Sequence, residues 1–156
     1  MSGVTGIIDW FGEVVRVLTD KQVEEFLERD GWPFERVDHN TWRSGFRGDK
    51  NSFRFYIRLS EHWIFYTIVP FVVAPKRPEQ ETRLYRRLLE LNRDINMAKF
   101  AIDDDHDVVL TVELPVENLV YSEFKDALDA LSFYADKHYL ELLNLAHGEQ
   151  PDELAN

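Results

Sequence analysis

The hydrophobic pattern changes period several times along the chain, and its longest apolar run lies near the middle. Trp63 to Val73 reads W-I-F-Y-T-I-V-P-F-V-V, eleven residues without a charge, most of them aromatic or β-branched. That composition predicts a central strand with protein on both of its faces. A membrane-crossing helix needs about 20 apolar residues, so the run is too short to be one. Pro70 has no N–H for a ladder, which places the last few residues at a sheet edge or a bulge.

Before this strand, Ile7, Phe11, Val14 and Leu18 recur at helical spacing, with Ile8 and Val15 beside them and Asp9, Glu13 and Arg16 opposite. The spacing predicts a first amphipathic helix. Thr19 followed by Gln22 is a capping-box pattern that starts a second helix carrying Val23, Phe26 and Leu27. Gly31 ends it in a left-handed conformation, Trp32 folds back on Leu27, and Pro33 prevents continuation. Residues 34–38 are a short strand candidate, with His39-Asn40 as a turn. Trp42, Ser44 and Phe46 then alternate with polar positions, as do Phe53, Phe55, Ile57 and Leu59. With Gly48-Asp49-Lys50-Asn51 as the loop, Phe46 faces Phe53 and Gly45 faces Arg54. Ser60-Glu61-His62 reverses the chain into the central strand and completes a three-stranded antiparallel meander.

Beyond the central strand, Pro75 and Pro78 bracket a loop. A helix is predicted from Glu79 to about Asn92, with Leu84, Leu88 and Leu91 on its inner stripe. Ala98, Phe100 and Ile102, then Val108, Leu110, Val112 and Leu114, form a second hairpin across Asp103-Asp104-Asp105, closed by Pro115. Ser122 is the expected cap of a last helix running to about Ala146, whose core stripe is Phe124, Leu128, Leu131, Ala135, His138 and Leu142. The predicted fold class is α+β: an antiparallel sheet, three-stranded meander plus two-stranded hairpin, packed with helices in the order α-α-β-β-β-α-β-β-α. Residues 1–148 are expected to be a single domain and 149–156 a disordered acidic tail.

Composition narrows the functional classes. At 156 residues the chain can bury roughly 70% of its unfolded surface and needs no staples. It has no cysteine, which excludes disulfides, thiolate zinc sites and a cysteine nucleophile and fits a reducing cytoplasm. The first apolar stretch is broken by Asp9 and Glu13 and lacks a basic leader, so it is a poor signal peptide. A net charge of −11 repels phosphate backbones, so no direct nucleic-acid partner and no membrane partner are expected.

Candidate chemistry is sparse. Asp103, Asp104, Asp105, His106 and Asp107 are rich in oxygen, but the spacing lacks the Gly and Glu of an EF-hand and reads as an acidic hairpin turn. The five histidines show no paired ligand spacing and no acyl-transfer order, and His138 on an apolar stripe reads as a satisfied core residue. No G-x-S-x-G, Walker or G-x-G-x-x-G pattern is present. No catalytic residue, metal or cofactor is therefore expected. Arg43, Arg47, Arg54 and Arg58 share the outward face of the first hairpin; they are either a partner-binding patch for an acidic peptide or other anion, or solvated side chains with stems packed over Tyr56. Phe133 and Leu140 fall on the charged face of the last helix, and Tyr85 and Leu89 lie beside the stripe of the preceding one. All four are candidate homodimer contacts.

The order of elements, together with the run Leu88 to Pro115, resembles the YbjN family, whose fold is similar to that of type III secretion chaperones. The match is carried by Leu91-Asn92, Ala98-Lys99-Phe100, Val109-Leu110 and Leu114-Pro115, and the first predicted helix departs from it. The resemblance implies a non-enzymatic, dimeric chaperone or regulator that binds segments of another protein. The alternative is a regulatory domain with a small ligand in a pocket lined by Trp42, Phe55 and Trp63.

Overall fold

The apolar run at the middle of the sequence is the middle of the sheet. In the computed structural model, which describes residues 6–8, 10–12 and 14–148, the elements follow in this order. Strands β1 (Gly6–Ile8) and β2 (Val14–Arg16) precede helix α1 (Asp20–Arg29). Strands β3 (Glu35–Asp38), β4 (Thr41–Arg47), β5 (Ser52–Leu59) and β6 (Trp63–Val72) follow, then helix α2 (Pro78–Asp94), strands β7 (Ala98–Ile102) and β8 (Val108–Pro115), and helix α3 (Tyr121–His147). The large sheet is antiparallel with order β3-β4-β5-β6-β8-β7, so β6 lies between β5 and β8.

The first hairpin of the large sheet has the register that its alternation and loop length dictate: Phe46 opposite Phe53 and Gly45 opposite Arg54. Residues 34–38 add β3 to its outer edge, making the meander four strands rather than three. Pro70 acts as expected. The pairing of β6 with β8 shifts register between Ile68 and Val72, and the pairing with β5 stops at Tyr56 opposite Thr67.

Helix α1 is bounded by two local devices. Thr19 accepts from the Gln22 N–H at 3.2 Å while the Gln22 side chain accepts from the Thr19 N–H at 3.0 Å. At the other end Gly31 adopts φ +79° and the Trp32 N–H donates to the Leu27 carbonyl at 2.9 Å, a Schellman stop. Asn92 near the end of α2 clasps the outer strand β7: its amide donates to the Phe100 carbonyl at 2.9 Å and accepts from the Phe100 N–H at 2.7 Å. Part of an otherwise unpaired edge is thereby satisfied.

Helices α1, α2 and α3 pack on one face of the large sheet. Phe124 meets Tyr66 edge-on at 5.4 Å, and Tyr139 does the same to Phe53 at 5.3 Å. Trp42, Phe55, Ile64, Tyr66, Leu110 and Leu128 have essentially no exposure. The opposite face carries no helix among the described residues, which corrects the expectation that β6 is covered on both sides. On that face β6 presents Phe65 and Thr67, both half-buried, and the exposed Trp63 and Val69.

Three further expectations change. Residues 6–8 and 14–16 pair as the antiparallel strands β1 and β2 in place of a first helix. Gly12 takes φ +78°, a conformation foreign to a right-handed helix, and the β-branched Ile8, Val14 and Val15 suit extended backbone. Ile8, Phe11 and Val14 are exposed, so the supposed core stripe faces outward. Leu18 alone of that stripe is seen to be buried, its N–H donating to the Val116 carbonyl at 3.0 Å. Helix α3 begins at Tyr121 after Val120, without a side-chain cap, rather than at a Ser122 cap. The tail expected at 149–156 lies outside the described residues.

Candidate functional site

Strand alternation sends every second side chain of β4, β5 and β6 to the helix-free face. Register then aligns them into a row across the six strands: Glu35, Arg43, Tyr56, Thr67, Thr111 and Lys99. Thr67 and Thr111 share a hydroxyl–hydroxyl hydrogen bond at 3.0 Å, and Lys99 pairs with Glu113 at 2.8 Å. To either side of this polar row β6 shows apolar side chains, with Trp63 46% and Val69 38% exposed and Phe65 half-buried.

The four arginines do share that face, but not one environment. Arg43 is ion-paired to Glu35, which raises its pKa above the ordinary value. The Arg58 guanidinium lies 4.5 Å from the centre of the Phe65 ring. Arg47 and Arg54 are exposed and have no ion-pair partner among the described residues; both line an open groove of about 860 Å³. The groove opens where β5 and β6 part, between Ser52–Arg54 on one side and Val69–Phe71 on the other. Phe53 stacks on Phe71 at 5.8 Å and Tyr139 closes from the helix side, so an aromatic layer forms the floor. Gly45 helps to keep it open. A Cβ there would meet the Phe53 carbonyl oxygen at 2.9 Å.

The candidate dimer contacts lie on helices α2 and α3, and Phe133 shares a cleft with Arg47 at the end of β4. Leu89 is 72%, Phe133 57% and Leu140 43% exposed. Tyr85 is half-buried against the core; burial, then the charge of Glu81, raises its hydroxyl pKa. Helices α2 and α3 are tied together by Arg87 and Glu141 at 2.5 Å.

The pocket expected from Trp42, Phe55 and Trp63 does not form. Trp42 and Phe55 point into the core, while Trp63 is on the opposite face of the sheet because its strand position has the other parity. The acidic turn is structural in its bonding. Asp103 Oδ1 accepts from the Asp105 N–H at 2.9 Å and the Asp107 N–H at 3.0 Å, and Asp107 Oδ1 from the Ala74 N–H at 2.7 Å. The carboxylates of Asp103, Asp105 and Asp107 also fall within 4.8 Å of one another. What the sequence pattern missed is the groove itself, signalled only by Pro70 and by Gly45 interrupting the arginine parity.

His138 is buried as expected, but among the described residues Nε2 has no hydrogen-bond partner and Nδ1 stands 3.9 Å from Glu141 Oε2. Burial, then the positive charge of Lys137, lowers its pKa. The unfolded chain therefore binds the proton more readily than the native one, and stability falls as pH drops below the unfolded value near 6.5. Thermal unfolding of the wild type is expected to shift downward between neutral pH and about pH 5 more than that of His138→Leu. Parallel curves for the two proteins would remove His138 as the source.

Among the described residues no helix is long and apolar enough to cross a membrane. A search of curated proteins gives no sequence match. Among solved structures, the chain is similar to E. coli YbjN, with a TM-score of 0.59, 16% identity, and 81% of this chain and 96% of that one covered. It is also similar to a chain of the ExsC–ExsE complex, with a TM-score of 0.56 at 20% identity, covering 81% and 96%. A third likeness is to the heterodimeric ExoU–SpcU complex of the Pseudomonas aeruginosa type III secretion system, with a TM-score of 0.55 at 16% identity, covering 80% and 98%. At such identities these likenesses establish a type III secretion chaperone-like fold. The family model YbjN, described as "Putative bacterial sensory transduction regulator", matches residues 19–144, and the chain belongs to the YbjN family.

Proposed function

We propose that the chain is a non-enzymatic, chaperone-like or regulatory protein that binds segments of other proteins, acts as a homodimer and works in the cytoplasm. The observation that carries the binding role is the helix-free sheet face, where exposed apolar side chains of β6 stand beside arginines in a strongly acidic chain. Two of the similar folds come from the heterodimeric ExoU–SpcU complex of a type III secretion system and from a chaperone–effector complex, HopA1–SchA, which supports the same role here. The exposed Leu89, Phe133 and Leu140 support self-association through helices α2 and α3.

Sedimentation tests the dimer. The wild type is expected at twice the chain mass, and Phe133→Glu with Leu140→Glu at the single mass with unchanged far-ultraviolet circular dichroism. A wild-type monomer at high micromolar concentration would eliminate the dimer. Binding is tested by titrating the protein with an unfolded, carboxymethylated client protein: saturable heat and client protection from aggregation are expected, and neither should occur if the protein-binding role is wrong.

A further inference from the structure

We infer that the groove between β5 and β6 receives an extended acidic segment of a partner protein, with Arg47 and Arg54 taking its carboxylates and the open side of β5 taking its backbone. This rests on the protein-binding role and assigns it a place and a chemistry. Three observations meet there. The residues lining the groove include two arginines and no Asp or Glu, in a chain of net charge −11. Neither guanidinium has an ion-pair partner among the described residues, unlike Arg43, whose charge is taken up by Glu35. And ladder pairing of β5 to β6 ends at Tyr56, beyond which Ser52–Arg54 and Val69–Phe71 flank the groove without ladder pairing to each other.

The last point selects a peptide over a small anion. Pro70 has no N–H to offer β5, and the register shift between Ile68 and Val72 carries the end of β6 out of line. An added strand supplies the missing donors and acceptors, whereas phosphate or a free carboxylate leaves them unmatched. Alternate side chains of an extended segment point the same way. Carboxylates on every second residue thus all face the side that carries Arg54 and, across β5, Arg47. Arginine forks are suited to such pairing, and the aromatic floor of Phe53 and Phe71 keeps the site from becoming a water channel into the core.

The test uses the full chain and a short fluorescein-labelled peptide of alternating Glu and Thr, read by anisotropy. Wild type and Arg86→Ala, an exposed arginine on α2 away from the groove, should bind it alike. The double variant Arg47→Ala, Arg54→Ala should bind roughly tenfold or more weakly, since each lost charged hydrogen bond is large on that scale. A peptide with Gln for Glu, and one N-methylated at alternate amides, should lose a similar factor. Equal affinity of the double variant overturns the site. Undiminished binding of the N-methylated peptide, or displacement by inorganic phosphate at the peptide's own concentration, overturns strand addition in favour of a simple anion site. If the Gln peptide binds both proteins as well as the Glu peptide does, the acidic preference is wrong while protein binding stands. Failure of the carboxymethylated client to bind strikes the broader role instead.

Discussion

Trp42→Ala will cost about 3–5 kcal/mol of stability, the range for truncating a buried aromatic residue. Trp42 has no exposed surface, and its indole N–H donates to Glu24 Oε1 at 3.0 Å. The Arg36 guanidinium sits over its ring at 5.2 Å and pairs with Glu24 at 3.5 Å and with Asp20 at 2.7 Å. That pairing is the largest cause holding the Asp20 carboxyl below its ordinary pKa. One side chain therefore fastens α1 to β4 while bracing the residue that joins α1 to β3. A domain of this size has about 5–15 kcal/mol in total, so the variant should stand near the threshold of folding at moderate temperature. Urea titration should show a lower midpoint with an unchanged slope. Trp42→Phe, which keeps a ring and loses the donor, should fall between the two. A loss below about 1 kcal/mol for the alanine variant would show that α1 is not held through this residue.

Tyr66→Phe should move stability the other way, by about 1 kcal/mol. The Tyr66 hydroxyl is fully buried and meets no hydrogen-bond partner among the described residues, and burial pushes its pKa well above the usual value. Its ring is useful, packed edge-on against Phe124 at 5.4 Å, and the substitution keeps it. Removing the oxygen releases the cost of having taken it out of water without deleting a bond. Melting temperature should rise by roughly 2–4 °C. A fall would mean that the hydroxyl holds a partner worth more than its desolvation.

The parts of the fold legible in the sequence are those fixed by local chemistry. Thr19 and Gln22 are three residues apart, Gly31 is followed by Trp32, and the loop after Arg47 has a length that admits one register; each feature needs no knowledge of distant residues. The helical spacing of residues 7–18 is overridden by turn chemistry. Ile7, Phe11, Val14 and Leu18 fit a helical stripe, yet Gly12 lies inside it, and Arg16 is held by Asn118, whose N–H donates to the Arg16 carbonyl at 2.6 Å. That partner is more than a hundred residues away and no local pattern points to it. Parity correctly put the four arginines on one face. It could not tell which of them would find Glu35 or Phe65 as a neighbour, because those neighbours come from strands whose register was not predicted. Trp42, Phe55 and Trp63 were grouped by residue type, and strand parity separates them.

Helix α3 has a consequence for how the molecule is made. It supplies Phe124 against Tyr66, Tyr139 against Phe53 and Phe71, and Asp136 to the Asp49 N–H at 2.8 Å, reaching both halves of the sheet from the last described element of the chain. A ribosome delivers that helix after every strand it must cover, so the part of the inner aromatic surface that α3 covers stays bare at least until synthesis has passed residue 146. The protein that is proposed to shelter other chains is itself in need of shelter until then.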